Sequence, residues 1–283
     1  MNNQQRQIIA KYITSGQGRS RIAASFTQPL RARRDYQSVA RRAYYVENLL
    51  DGQLALWDKD ADVPAYVVGE EGQNIVSVQK PKRVNIPLFE ISANPKIPFT
   101  TIKEKRFDVL ERSLDLARSN IMVTEDRYSF AVMDACAEDA TAPNPTIDVT
   151  GNLTSNALID AKASIDRNDI RVANIFMNAR DYNDLLKWDR DSLDPVTQAS
   201  LLKNGLMATI WGANIITSRV VPEGTVYVCG EAEFFGRIPV RTDITVLSAD
   251  DPGNRMVGFS VFENIGILLY NPLALCKIDI TRV

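Results

Sequence analysis

The chain has 283 residues, is 45% hydrophobic and carries a formal net charge of -2. This length and composition are sufficient for one large domain or two modest ones, each with a core of its own. The sequence has no apolar run of about 18 residues, so it predicts no membrane-spanning helix. Histidine is absent, which removes the commonest general base and the commonest zinc ligand.

Positive charge is concentrated at the start of the chain. Residues 1–45 hold nine Lys and Arg residues against one acidic residue, Asp35, whereas the other 238 residues hold 24 basic and 34 acidic residues. Apolar residues are interspersed, which favours an ordered basic arm that packs on neighbours or faces a polyanion over a solvated, partly disordered tail. The candidate residues for contact with a polyanion are Arg19, Arg21, Arg31, Arg33, Arg34, Arg41 and Arg42.

A short apolar stretch follows the arm. It contains Leu49, Leu50, Leu54, Leu56 and Trp57, and we expect it to dock on the body of the protein. Trp57 is also a candidate for an intersubunit contact, because tryptophan is common at the energetic centres of interfaces.

The pattern then changes to short strand-like runs between residues 63 and 90, separated by polar turns. These runs predict a long hairpin loop that cannot bury itself alone and leans on another subunit. Charged residues of this loop are candidate intersubunit contacts, namely Glu70, Glu71, Lys80 and Lys82. Exposed turn charges of little energetic value are the alternative for the two glutamates.

The sequence contains no motif that predicts catalysis, a metal site or a cofactor. Asp58, Asp60 and Asp62 imitate the opening of a calcium-binding loop, but Val63 replaces its turn glycine and Gly69 replaces its bidentate glutamate. Nucleophile-elbow, phosphate-loop and complete dinucleotide-binding signatures are absent. The three cysteines are odd in number and far apart, which favours reduced, buried thiols made in a cytosol.

Helical spacing of apolar residues predicts a long helix over about 107–139, with a break near Ser119 and Asn120 as the alternative. Residues 140–151 form a linker with two prolines. A compact α/β segment follows, in which Thr154 and Asn178 are predicted to cap helices and Asp194 is predicted to open a helix to about Asn204. The same segment predicts a buried strand over Val172–Met177 and a Pro-Glu-Gly turn that ends at Gly224 before another buried strand. Trp188 and Trp211 are predicted to lie in its core.

The second half of the chain resembles a known family. The residues that carry the resemblance are 218–230 (SRVVPEGTVYVCG), 235–241 (FGRIPVR), 258–263 (GFSVFE) and 270–274 (YNPLA). Together they are similar to the C-terminal half of tailed-bacteriophage major capsid proteins with the Hong Kong 97 fold. The order of the preceding segments agrees with that family along essentially the whole chain.

The resemblance implies an α+β fold with an N-terminal arm over residues 1–45 and an axial domain over about 146–255. The peripheral domain would comprise residues 46–145 and 256–283, with the extended loop at about 63–90 and a spine helix at about 107–139. Because the chain begins directly in the arm, we expect either a separate scaffolding protein or a sequence that needs no proteolytic cleavage. Some relatives have a covalent bond from a lysine of the extended loop to an asparagine of the peripheral domain. Lys80, Lys82, Asn264 and Asn271 lie in the corresponding segments here, but solvated lysines and a turn shaped by Asn271 are the favoured interpretation.

The resemblance also implies a function. The chain would be the non-enzymatic subunit of an icosahedral head shell, made of hexamers and pentamers, that encloses double-stranded DNA without reading its sequence. We expect its partners to be copies of itself and scaffolding, portal and decoration proteins, and we expect it to bind no membrane. The seven candidate arginines of the arm would face DNA or a scaffolding protein. The protein would be part of the virion and assemble in the host cytoplasm. An encapsulin-type nanocompartment shell and a small-molecule α/β enzyme are the alternatives.

Overall fold

The computed structural model describes residues 36–59, 82–98, 100–101, 109–188 and 207–282. Most of the predicted arm, the predicted loop up to residue 81 and a helix predicted from Asp194 lie outside these residues. The described residues divide into two compact units. The first lies within 36–37, 92–122 and 244–262, and the second lies within 38–91, 123–243 and 263–282. The predicted division into arm, peripheral and axial domains stays a prediction.

The fold is a mixture of helices and strands. The helices are α1 (Val109–Ala137), α2 (Ser155–Asp166) and α3 (Ala179–Leu185), with short helical turns at Ala40–Arg42, Ala232–Phe235 and Pro272–Ala274. The first seven strands are β1 (Tyr45–Asn48), β2 (Leu56–Lys59), β3 (Lys82–Asn85), β4 (Phe89–Ala93), β5 (Lys96–Pro98), β6 (Ile147–Thr150) and β7 (Val172–Met177). The other seven are β8 (Met207–Ile210), β9 (Ala213–Thr217), β10 (Thr225–Gly230), β11 (Gly236–Ser248), β12 (Met256–Ile265), β13 (Leu268–Leu269) and β14 (Leu275–Thr281).

The second unit is built on a six-stranded sheet with the order β6-β14-β10-β7-β9-β8. Strands β7, β10 and β14 are almost entirely buried. The sequences of β7 and β10 are nearly continuous runs of apolar residues, whereas β14 alternates apolar and polar residues and its buried Lys277 is paired with carboxylates. Their pairing is antiparallel on both sides of β10, whereas β6 pairs parallel with β14 and β9 pairs parallel with β7. The last strand along the chain, β14, therefore lies inside the sheet.

Local sequence signals set the ends of the elements around this sheet. Thr154 Oγ1 accepts a hydrogen bond from the Ala157 amide at 3.3 Å and caps α2, and Asn178 caps α3 through Arg180. In the Pro-Glu-Gly turn before β10, Gly224 has a φ of +84°, and a Cβ there would lie 2.8 Å from the Ile280 carbonyl oxygen. Only glycine tolerates both the positive φ and the close approach of the carbonyl oxygen.

Helix α1 is continuous through Ser119 and Asn120, so the predicted break does not occur. Its last turns pack on the sheet of the second unit through aromatic rings. Phe130 stacks on Tyr227 with ring centres 5.7 Å apart and meets Phe176 edge-on at 5.6 Å. The buried Lys277 of β14 pairs with Asp134 of the helix and with Glu138 just after its end, at 2.8 Å in each case, and with Asp279.

The other large sheet has the order β1-β11-β12-β4, with β13 beside β11 and β5 beside β12. In the second unit, β1 pairs parallel with the start of β11, from Tyr45 opposite Arg237 to Asn48 opposite Val240. Strands β2 and β3 form a separate antiparallel ribbon in which Trp57 lies opposite Val84. Ribbon and sheet are linked by a small apolar cluster of Leu49, Ala55 and Ile86.

In the first unit, β5 pairs antiparallel with β12. The approach is close, because a Cβ on Gly258 would lie 2.4 Å from the Pro95 carbonyl oxygen. Among the described helices, none is long and apolar enough to cross a membrane.

Candidate functional site at the base of the N-terminal arm

The end of the predicted arm, residues 38–42, contacts helix α1 within the second unit. We call this segment the arm base. Its Ala40–Arg42 helical turn has no capping side chain of its own at Val39. Instead the buried Asp126 of α1 accepts hydrogen bonds from the Val39 and Ala40 amides at 2.9 and 3.1 Å, and from the Ser38 hydroxyl at 2.7 Å. A carboxylate at this place satisfies donors that the start of a helix leaves unpaired.

Arg41 connects the arm base to three elements. Its Nε donates to Glu125 Oε1 of α1 at 2.5 Å, its Nη2 donates to Glu263 Oε1 of β12, and its Nη1 lies 3.4 Å from Asp243 Oδ1 of β11. The Glu125 and Glu263 side chains are only 1% and 0% exposed, whereas Asp243 is 72% exposed. We call Arg41, Glu125, Asp243 and Glu263 the arm-base cluster.

Burial controls the protonation of this cluster. It raises the pKa of Glu263 to about 7, assisted by repulsion from Glu125 and opposed by the charge of Arg41. Burial also raises the pKa of Glu125, although the hydrogen bond from Arg41 acts in the opposite direction. For Arg41 burial lowers the pKa, but its contacts with Glu125, Glu263 and Asp243 outweigh that effect and the pKa is raised.

Neighbouring residues fix the chain on both sides of the cluster. The Arg42 carbonyl oxygen accepts a hydrogen bond from Asn174 Nδ2 of β7 at 2.9 Å. Tyr44 is buried, donates from its hydroxyl to the Ser129 carbonyl oxygen at 3.4 Å and packs edge-on against Phe235. The point where the arm joins the second unit is therefore held by side chains from several elements.

The structure describes two of the seven basic residues predicted to face DNA or scaffolding. Arg41 is engaged with the carboxylates of the arm-base cluster, and Arg42 has an exposed side chain. The other five lie outside the described residues, namely Arg19, Arg21, Arg31, Arg33 and Arg34. The role of the arm stays a prediction. The acidic partners Glu125, Asp126 and Glu263 were not predicted, because their separation from Arg41 along the chain leaves no local signal.

Trp57, a predicted intersubunit contact, is half-buried in the second unit. Its indole Nε1 donates to Glu47 Oε2 at 3.0 Å. The Arg237 guanidinium lies over the Trp57 ring at 5.6 Å and over the Tyr45 ring at 5.4 Å, and it pairs with the same Glu47 oxygen. The Arg237 guanidinium therefore makes cation–π contacts with two aromatic rings.

The apolar stretch before Trp57 docks only in part, which corrects the prediction. Leu49 is buried, but Leu50 and Leu54 are 77% and 66% exposed, because the chain turns at Gly52 with a φ of +79°. The exposed apolar side chains of this region form what we call the leucine patch, which consists of Tyr45, Val46, Leu50, Leu54 and Leu56.

The structure describes little of the predicted intersubunit contacts in the extended loop. Glu70, Glu71 and Lys80 lie outside the described residues, and Lys82 is placed in β3 opposite Lys59. Asn271 Oδ1 accepts a hydrogen bond from the Leu273 amide at 3.2 Å, which is the turn-shaping role that the sequence favoured. Within the described part of the chain, no group of three or more side chains is arranged to hold a metal ion.

The fold, with its long helix and two mixed sheets, is similar to that of solved phage capsid structures. The capsid protein of the cyanophage P-SCSP1u has a TM-score of 0.67 and 13% identity, over 91% of this chain and 92% of that one. The mature capsid of bacteriophage PhiM1 also has a TM-score of 0.67, with 11% identity over 90% of this chain and 91% of that one. A virus-like particle from Pyrococcus furiosus has a TM-score of 0.56, with 18% identity over 86% of this chain and 93% of that one.

Sequence comparison supplies the family. A profile of the Phage capsid family matches residues 22–280, so the chain belongs to that family. A comparison with curated protein sequences gives no significant match. The predicted α+β capsid fold is confirmed. The protein is a major capsid protein, a structural subunit that assembles into the shell of a phage virion.

Proposed function

We propose that this subunit forms the hexamers and pentamers of an icosahedral head around double-stranded DNA, and that it has no catalytic role. The basic composition of residues 1–45 is the observation that carries the DNA proposal. Many copies of such an arm, each joined to the second unit at Arg41 and Asp126, would place a cationic lining against phosphate groups. Binding of this kind is independent of sequence and sensitive to salt.

The same arm suits other partners at other stages. Before DNA enters, an acidic scaffolding protein could occupy it, since charge complementarity rather than shape would determine binding. We also propose portal and decoration proteins as partners, and assembly in the host cytoplasm. A protein-filled nanocompartment is the second candidate, because the Pyrococcus furiosus particle shares the fold, although with a lower TM-score than the phage capsids.

Electron microscopy of the purified protein, expressed with and without its neighbouring genes, tests the proposal. We expect closed icosahedral shells, or rings of five and six subunits, and ultraviolet absorbance that reveals nucleic acid in filled shells. Shells that contain a protein cargo instead of nucleic acid would support the nanocompartment. A monomer or dimer under every condition would contradict both.

We also propose that the leucine patch and Trp57 contact a second copy of the chain. The proposal rests on the exposure of five apolar side chains between residues 45 and 56, and a capsid subunit must bury surface against its neighbours. Glu70, Glu71, Lys80 and Lys82 stay proposed contacts of the same kind.

Replacement of Leu50 and Leu54 by serine should leave the fold intact, since both side chains are exposed. We expect shells to be replaced by smaller oligomers in sedimentation velocity, because the proposed contact would lose its two most exposed leucine side chains. Leu186→Ser is the control, as Leu186 is also exposed but lies in another region. If the double variant formed normal shells, the leucine patch would not be part of the interface.

A further inference from the structure

The arm-base cluster buries more negative than positive charge. The guanidinium of Arg41 contacts both Glu125 and Glu263, whose side chains are essentially inaccessible. Each glutamate uses Oε1 for Arg41, and the Oε2 atoms of both have no hydrogen-bond partner among the described residues. Two buried carboxylates therefore share one cation through one oxygen each.

A buried site of this composition is expensive when both carboxylates are ionised. The guanidinium of Arg41 compensates one of them, and within the described part of the chain no second cation is paired with the other buried charge. Asp126 on the same helix and Asp243 on β11 add further negative charge nearby. A proton on one of the two free Oε2 atoms would make the buried pair and Arg41 neutral as a group.

We propose that Glu125 and Glu263 together hold one proton while the arm base is closed on helix α1, and that loss of this proton loosens residues 38–42. The step is a simple acid dissociation, in which a carboxyl O–H releases its proton to water and leaves a carboxylate. This inference goes beyond the proposed function, because it concerns how the arm is attached and not what the arm binds.

The direction of the effect follows from the pKa of Glu263. Burial raises it from 4.5 to about 7, so the closed state retains a proton that a water-exposed glutamate would release. The stabilisation is complete below about pH 4.5 and is lost as the pH rises through about 7. Arg41 works against this shift, but burial and the neighbouring carboxylates outweigh it. Opening of the arm base should therefore become easier at higher pH.

Hydrogen exchange of the full-length protein tests this directly. The backbone amides of Val39 and Ala40 donate to Asp126, so they report on opening of the arm base. After correction for intrinsic exchange, we expect their opening equilibrium to rise at least about tenfold between about pH 5 and pH 9, which corresponds to one pKa unit. An equilibrium that is constant, or that falls as the pH rises, would overturn the proposal.

Variants assign the effect to the cluster. Glu263→Gln mimics the protonated carboxyl and should keep the low-pH behaviour at every pH, whereas Asp243→Asn should retain the transition because Asp243 is mostly exposed. A transition that persists in both Glu263→Gln and Glu125→Gln would exclude the cluster as its source. If these variants do not fold, infrared spectroscopy of the unaltered protein decides. We expect a protonated-carboxyl band that disappears near pH 7, and a spectrum unchanged between about pH 6 and pH 8 would overturn the proposal.

Discussion

Asp126 caps a helical turn that lies far from it in the sequence. Its two oxygens accept from two consecutive amides and from the Ser38 hydroxyl. Caps are normally supplied by the residue just before a helix, but Val39 at that position has no suitable side chain. The arm base can therefore form its turn only where it meets helix α1, which couples local folding to docking.

Asp126→Ala should destabilise the protein by about 2 kcal/mol, since buried amide donors would lose their acceptor. Asp126→Asn keeps one acceptor oxygen and should cost less. Urea denaturation gives the loss of stability, and hydrogen exchange at Val39 and Ala40 locates it. Equal stability of the alanine variant and the parent protein would show that the cap contributes nothing.

Two glycines with similar backbone angles offer a matched comparison. Gly224 and Gly52 have φ values of +84° and +79°, but a Cβ would clash with the Ile280 carbonyl only at Gly224. We expect Gly224→Ala to cost about 3 kcal/mol, from backbone strain and displacement of β14, and Gly52→Ala to cost about 1 kcal/mol from strain alone. Thermal unfolding measures both. Similar losses would show that close approach to β14 is unimportant.

At the scale of elements, helix α1 and the six-stranded sheet are joined by Phe130, which lies between Phe176 and Tyr227. The same helix carries the acidic residues that hold Arg41. Packing of one helix thus fixes both a sheet and the point at which the arm is attached.

Phe130→Ala should destabilise the protein by about 3–5 kcal/mol, because it removes a buried ring and leaves a cavity between two others. Leu116→Ala in the same helix should cost less than about 1 kcal/mol, because Leu116 is exposed. Denaturation midpoints compare the two. A small loss at Phe130 would mean that the surrounding rings collapse into the space.

At the scale of the whole protein, the charge of the arm should govern nucleic-acid retention. We expect Arg33→Gln combined with Arg34→Gln to release DNA from shells at lower salt, since each lost phosphate contact weakens binding and reduces its salt dependence. Arg127→Gln with Arg171→Gln removes the same charge from exposed positions of the body and serves as control. Equal effects of the two pairs, measured by DNA release during a salt titration, would argue against a special role for the arm.

The sequence predicted those parts of the fold that depend on local patterns. The apolar run at Val172–Met177 forms the predicted strand. The spacing of apolar residues predicted helix α1, whose observed end at Ala137 lies two residues before the predicted end. The caps at Thr154 and Asn178 and the turn at Gly224 also formed as expected. Each of these signals is complete within a few neighbouring residues.

Local sequence patterns could not predict contacts between segments that are distant along the chain. Nothing local to Arg41 indicates Glu263, and nothing in β1 indicates its parallel pairing with β11. Trp211 was predicted in the core, but it occupies a hairpin turn with a φ of +49° and is 41% exposed, because the turn between β8 and β9 falls on it. Tertiary context decides such positions, and composition does not.

The position of β14 has a consequence for synthesis. Ribosomes make β6, β7 and β10 well before β14, yet β14 lies between β6 and β10 in the finished sheet. Until residues 275–281 emerge, β10 has an unpaired edge and β6 has no neighbour in the sheet. The sheet therefore closes only after residues 275–281 have left the ribosome, and until then the unpaired edge of β10 is of the kind that invites pairing with other chains.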